Sequence, residues 1–208
     1  MEMLAYSNSL EHNSSQASSS LERFILLPLN KQLEAQTVEV IRNTLMQMPE
    51  AGAELGATRR KLDNFYSSYV RDGSIYLVLM DSRSERVVGG VGLVPFAGLD
   101  PAEGIGEIRE LAVDMPYRRQ GLGLKLLQAA FDTALSLKYK RLYLEATEQM
   151  SHAQALFLRF GFQPVSLQQR ETTQRNAPII RQTGHHQPAF YVWEDTSSLT
   201  NELALPHR

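Results

Sequence analysis

The chain has 208 residues, 43% hydrophobic and 21% charged, with a formal net charge of -2 from 21 basic and 23 acidic side chains, which is the profile of one soluble globular domain with a sizeable core. That near-balance argues against a nucleic-acid surface built on bulk electrostatics, and the absence of cysteine excludes a disulfide framework, a cysteine metal site and an acyl-thioester carried by the protein. No apolar run nears the roughly 20 residues of a membrane span, and the start lacks a basic region followed by an apolar one, so a cytoplasmic protein is expected.

Residues 1–20 hold Asn8, Asn13 and a serine run ending at Ser20, with only Leu4, Tyr6 and Leu10 to bury. Such a composition is expected to stay disordered, leaving a single domain over 21–208. Phe24 to Leu27 read as a first strand stopped by Pro28. From Lys31 to Met48, the spacing of Val38, Ile41, Leu45 and Met48 predicts an amphipathic helix. A second helix is expected between Thr58 and Asp72, with Leu62, Phe65, Tyr66 and Tyr69 inward and Gly73 ending it. The period then changes to two: Ile75 to Met80, a polar turn over 81–86, and a returning strand from Val87 to Val94 predict a hairpin. Gly89, Gly90 and Gly92 within it read as a bulge, as a close approach of another backbone, or simply as a glycine-rich strand. Residues 95–106 form a loop.

The stretch from Glu107 to Gly123, EIRELAVDMPYRRQGLG, is the centre of the reading. Ile108, Leu111, Ala112 and Val113 predict a strand, Asp114 to Tyr117 a turn, and the residues from Gly121 onward a helix. Gly121 and Gly123 let a ligand come close to the backbone, and the first amides of a helix have no partners within it. With Arg118 and Arg119 adding charge to the positive end of the helix, the loop is suited to an anion such as a diphosphate. The helix is expected to bury Leu127, Ala130, Phe131 and Ala134 and to turn Lys125, Gln128 and Asp132 to water. Arg141 to Ala146 predict the next strand, Ser151 to Phe160 a helix and Phe162 to Val165 a short strand, an order that implies a parallel crossover unit. Residues 166–188 are polar and too long for an ordinary connection, as functional or disordered segments are. Ala189 to Glu194 close the sheet as a last strand, and 196–208 read as a frayed end.

The run RRQGLG from Arg118 to Gly123 resembles the [Q/R]-x-x-G-x-[G/A] signature of the GNAT superfamily, the acyl-CoA-dependent N-acetyltransferases. AQALFLRFGF from Ala153 to Phe162 is similar to that family's later A-x-x-L-Y-x-x-x-G-F helix, at the family's order and spacing. The resemblance spans roughly residues 22–195 as a fold and about 107–162 by motif. It implies an α/β fold with a mixed, mostly antiparallel, splayed sheet of six to seven strands flanked by about four helices. It also implies acetyl-CoA as acetyl donor, an amine as acceptor, and direct transfer in a ternary complex, with no metal, nucleic acid or membrane involved and a homodimer left open. By the same resemblance, the amides from Arg119 through Gln120, Gly121, Leu122 and Gly123 to Leu124, with Arg118 beside them, hold the cofactor's pyrophosphate. Leu111, Ala112 and Val113 flank its pantetheine arm and offer an oxyanion donor. Glu107, six residues before Val113, matches the general base of members that use a glutamate on this strand.

Two departures stand out. Phe157 occupies the place of a tyrosine that protonates the departing thiolate, and a phenyl ring can pack but has no proton to give. Met150 stands where many members carry asparagine. Thr183-Gly184-His185 resembles a T-G-H found before the last strand in some relatives, which makes His185, or His186, a candidate base or orienting group; loop histidines with no such role are the other reading. An acyl-CoA-binding module without catalysis and a peptide or protein N-acetyltransferase are the alternatives to a small-molecule enzyme.

Overall fold

The computed structural model describes residues 23–47, 62–146, 150–165 and 189–195. The expectations for residues 1–20, for Met48, for the first residues of the second helix, for 166–188 with His185 and His186, and for 196–208 lie outside the described residues. Seven strands form one sheet: β1 (Phe24–Pro28), β2 (Ile75–Asp81), β3 (Arg86–Pro95), β4 (Ile105–Val113), β5 (Arg141–Ala146), β6 (Gln163–Pro164) and β7 (Ala189–Glu194). Their order is β1-β2-β3-β4-β5-β7-β6, antiparallel throughout except for the β4–β5 pair.

Among the described residues four α-helices cover the two faces: α1 (Glu34–Met46), α2 (Phe65–Tyr69), α3 (Leu122–Ser136) and α4 (Ser151–Arg159). On one face α3 sets Leu122, Leu126, Leu127, Ala130 and Ala134 against Val91, Leu93, Ile108, Leu142 and Leu144. The two alanines lie at helical spacing and let the helix sit close to the strands. On the other face Val40 and Ile41 of α1, with Leu62, Phe65 and Tyr69, pack on Tyr76, Val78, Val87 and Ala112. With helices on both sides, β3 is buried from Val87 to Val94, as a central strand of such a sheet must be.

The structure corrects four details. The core face of α1 is carried by Thr37, Val40 and Ile41, while Val38 is half-buried; Thr37 tolerates burial because its hydroxyl donates to the Leu33 carbonyl at 2.8 Å. Phe131 is only partly buried, at the margin of the core against Trp193. Lys125 does not simply point to water, since its Nζ donates to the Phe24 carbonyl at 2.5 Å and ties α3 to β1. β5 and β6 run in the same direction, as the crossover implies, but they are not neighbours: the last strand, β7, lies between them, and the adjacent parallel pair is β4 and β5, joined through α3.

Candidate active site

The site begins with a break in the ladder. β4 pairs with β5 only from Ile105↔Arg141 to Ile108↔Leu144, yet the two strands continue to Val113 and Ala146. Beyond Ile108 the two strands no longer pair, and the stretch between them is the candidate slot. On its other side β4 is paired with β3 as Gly90↔Ala112 and then Gly92↔Arg109, so Val91 alone faces both Glu110 and Leu111. That two-against-one count is a β-bulge, which bends the strand and re-aims its main chain. Glu110, at φ 44, carries the irregularity. Leu111 and Val113 pack toward α3, whereas Ala112 is buried on the α1 side.

Past Val113 the chain turns through Asp114, whose amide donates to Val88 and whose carboxylate accepts from the Met115 amide at 2.9 Å. Arg118 folds back, its Nε donating to the Val113 carbonyl at 2.8 Å, while Arg119 and Gln120 are exposed. Arg119 at φ 64 and Gly121 at φ 78 swing the backbone into α3. No side chain caps that helix, so the amides at its start are presented outward with the positive end of its dipole. A Cβ at Gly121 would meet nothing within 4 Å, and one at Gly123 only Leu156 Cδ2 at 3.9 Å. Gly121 is therefore required for its conformation, and the space above the loop is open to a ligand. The loop thus assembles as the sequence predicts, with the qualification that Arg118 spends one donor on the end of β4.

On the α1 and α2 side of the slot stand Glu107, Arg109, Glu110, Tyr69 and Tyr143. The Glu107 side chain is 17% exposed, and its Oε2 accepts from Arg109 Nη2 at 2.6 Å. Burial works against the Arg109 cation, but the Glu107 hydrogen bond and charge, followed by Glu110 and Tyr69, more than offset it and raise its pKa. Tyr143 lies opposite Glu107 on β5 and stacks on Phe96 with ring centroids 4.4 Å apart. The Tyr69 hydroxyl donates to Glu110 Oε2, and the Tyr76 hydroxyl donates to the Glu110 main-chain carbonyl at 3.1 Å. Burial first, and then the Glu110 charge, pushes both phenols well above their ordinary range, so they remain donors. Phe157 is buried on the α3 side, its ring 6.1 Å from that of Tyr191 and 6.3 Å from that of Phe162, and Met150 packs against the same core. Among the described residues no group of three His, Asp or Glu could hold a metal ion. No helix among them is long and apolar enough to cross a membrane.

Sequence reasoning did not single out Tyr69, Tyr76, Glu110 or Tyr143 as parts of the site. The glycines of β3 were the signal for two of them: a Cβ at Gly90 would lie 2.3 Å from the Tyr76 ring, and one at Gly92 would lie 2.3 Å from the Tyr69 hydroxyl. A Cβ at Gly89 would be 2.7 Å from the Ala112 carbonyl oxygen, a close backbone approach, and the β2–β3 ladder skips Val88 beside it, an irregularity within the expected hairpin; the bulge at Glu110 lies on β4, outside that hairpin.

Residues 40–162 match the model of the acetyltransferase (GNAT) family. Over 146 residues the chain is 30% identical to the uncharacterized N-acetyltransferase YjgM of Escherichia coli, covering 66% of this chain and 83% of that protein. Among solved structures, a GNAT-family acetyltransferase from Staphylococcus aureus superposes with a TM-score of 0.63 at 17% identity, covering 83% of this chain and 99% of the other. An acetyltransferase from Streptococcus agalactiae gives 0.64 at 16%, covering 83% and 98%. YncA from Salmonella typhimurium, solved with its cofactor acetyl-CoA, gives 0.58 at 14%, covering 83% and 94%. At such identities the structures speak for the fold alone. With more than half of its length matched by the family model and the slot, bulge and uncapped helix in place, the chain belongs to the GNAT family of acetyltransferases.

Proposed function

We propose that this protein transfers an acetyl group from acetyl-CoA to a primary amine of a small molecule or amino acid, directly and within a ternary complex. The carrying observation is the uncapped start of α3, placed at the end of a strand that no longer pairs with its neighbour. An anion-binding helix start thus adjoins a slot with an unpaired strand edge. In this reading the amides from Arg119 to Leu124 hold the pyrophosphate, and the main chain from Leu111 to Val113 takes the place of a strand partner for the pantetheine arm. A main-chain amide at the bulge faces the charge that builds on the thioester oxygen. Glu107 receives the proton of the attacking amine on Oε1, since Oε2 is engaged by Arg109. Phe157 supplies packing only, and the thiolate takes its proton from solvent.

That last point favours a second reading, a module that binds acyl-CoA without turning it over, because the buried ring at residue 157 offers no acid. A panel of amines, amino acids and peptides, assayed for thiol release from acetyl-CoA, separates the two. Acceptor-dependent release supports the enzyme. Tight acetyl-CoA binding with no release from any acceptor in the panel supports the binding module instead.

A further inference from the structure

Among the described residues five non-glycine residues have positive φ: Glu85, Ala97, Glu110, Arg119 and Lys138. Glu85, Arg119 and Lys138 sit in turns, and Ala97 in the kinked three-residue 3-10 segment Phe96–Gly98 that follows β3, where such backbone is ordinary. Glu110 alone lies inside a strand, and a left-handed residue there persists only where its surroundings over-determine it.

The surroundings are two phenols. Tyr69 comes from α2 and Tyr76 from β2, and their rings occupy the space that side chains at Gly92 and Gly90 of β3 would fill. Both are buried, Tyr69 to 6% and Tyr76 to 1% exposure, where a hydroxyl needs a partner. Each finds it on the same residue, Tyr69 at the Glu110 carboxylate and Tyr76 at the Glu110 carbonyl. The rings are also fixed in a triad with Phe65, with centroids 4.9 to 5.1 Å apart. One residue is therefore gripped at its side chain and at its main chain by donors whose own rotation is blocked by packing.

We propose that Tyr69 and Tyr76 are positioning residues for acetyl transfer: they lock the β4 bulge at Glu110 and so hold a main-chain amide of the bulge on the thioester carbonyl. This rests on the proposed acetyl-CoA-dependent function. The glycines of β3 are then part of the same device, since any side chain at residues 90 or 92 would expel the ring that grips the bulge. Glu110 stands three residues before the end of β4, where the proposed pyrophosphate loop begins; the phenols hold the bulge and not that loop, so their loss is read first at the carbonyl.

The test uses Tyr69→Phe and Tyr76→Phe, which keep each ring on its glycine seat and remove only the hydroxyl, and acetyl-CoA carrying 13C at the acetyl carbonyl. Difference infrared spectroscopy on the bound cofactor reads the carbonyl stretch, which a hydrogen bond lowers, and calorimetry reads affinity. Wild-type protein is expected to bind acetyl-CoA with the stretch shifted down. Tyr76→Phe is expected to bind equally well with that shift lost, and Tyr69→Phe with the band broadened or partly restored toward the free value. With an acceptor in hand, turnover falls roughly 10- to 100-fold at unchanged KM for acetyl-CoA, as misplacement of a polarising group predicts. A down-shifted band that survives in both folded variants overturns the clamp alone. Failure of wild-type protein to bind acetyl-CoA overturns the functional reading and the clamp with it. Should Tyr76→Phe not fold, Tyr69→Phe alone decides by the same band.

Discussion

Gly121 offers the sharpest perturbation, because the structure separates its conformational role from its steric one. At φ 78 it occupies left-handed backbone, and a Cβ there meets nothing within 4 Å. Gly121→Ala thus carries only the conformational cost, about 1–2 kcal/mol for an L-residue in that region. In a chain of this size each kcal/mol moves Tm by about 2–4 °C, so the variant should melt about 2–8 °C lower. Gly121→Glu adds a carboxylate in the open space where a diphosphate is proposed to sit, at the same backbone cost. Acetyl-CoA at about 100 times its Kd stabilises a protein that binds it by about 2.7 kcal/mol. Thermal melts with and without acetyl-CoA should show that gain in full for wild type, in part for Gly121→Ala, and not at all for Gly121→Glu, while the two variants share one lowered baseline. If Gly121→Glu is stabilised as much as wild type, the loop does not hold the pyrophosphate, and the argument from the helix start fails.

Glu107→Gln keeps size and hydrogen bonding to Arg109 and removes the base; turnover on an identified acceptor should fall roughly 10² to 10⁴-fold and the acidic limb of the rate profile should flatten, with acetyl-CoA affinity kept. Wild-type rates and an intact limb would make Glu107 structural. Asp81, fully buried, is held well below the ordinary carboxylate range first by the hydrogen bond from Arg23, against its burial, and further by the Arg83 amide and Ser84. A depressed carboxylate contributes stability above its unfolded pKa of about 3.9 and loses it as pH falls further. Asp81→Asn should therefore melt lower than wild type at neutral pH, with the gap narrowing as pH drops below about 4; a gap independent of pH would refute the assignment.

The strand, turn and helix start around Arg118 to Gly123 were legible because the pattern is local: these residues follow one another, and a strand running into a glycine-rich helix start can be read from period and composition. Strands β2 to β5 were legible for the same reason, with alternation bounded by turn residues. The bulge was not. It arises at Glu110, whose neighbours in sequence read as uninterrupted strand, and it is held by Tyr69 and Tyr76, 41 and 34 residues away. Gly90 and Gly92 recorded the contact from the other side, but glycine shows that something approaches and not what approaches. The place of β7 was hidden likewise: nothing in AFYVWE distinguishes an interior strand from an edge strand, because both neighbours are chosen by tertiary pairing. Lys125 misled by type, since a lysine in a helix normally reads as solvated and here it is half-buried and its ammonium reaches β1.

The position of β7 also dictates the order in which the protein can be completed. Every other ladder, including β4 with β5, is formed by residues up to 146, whereas β5 and β6 must wait for residues 189–194 to arrive between them. A nascent chain that has reached β6 therefore holds the loop from Arg118 to Gly123 and β4 paired with β5, while the far edge of β5, bearing Leu142 and Leu144, is still unpaired and open to a stray strand. Closing that edge needs a contact of some 50 residues' separation, Arg141 with Glu194, the kind of non-local pairing that forms slowly. During synthesis the sheet is thus sealed last beside its β6 edge, by the strand that also carries Tyr191 up against Phe157.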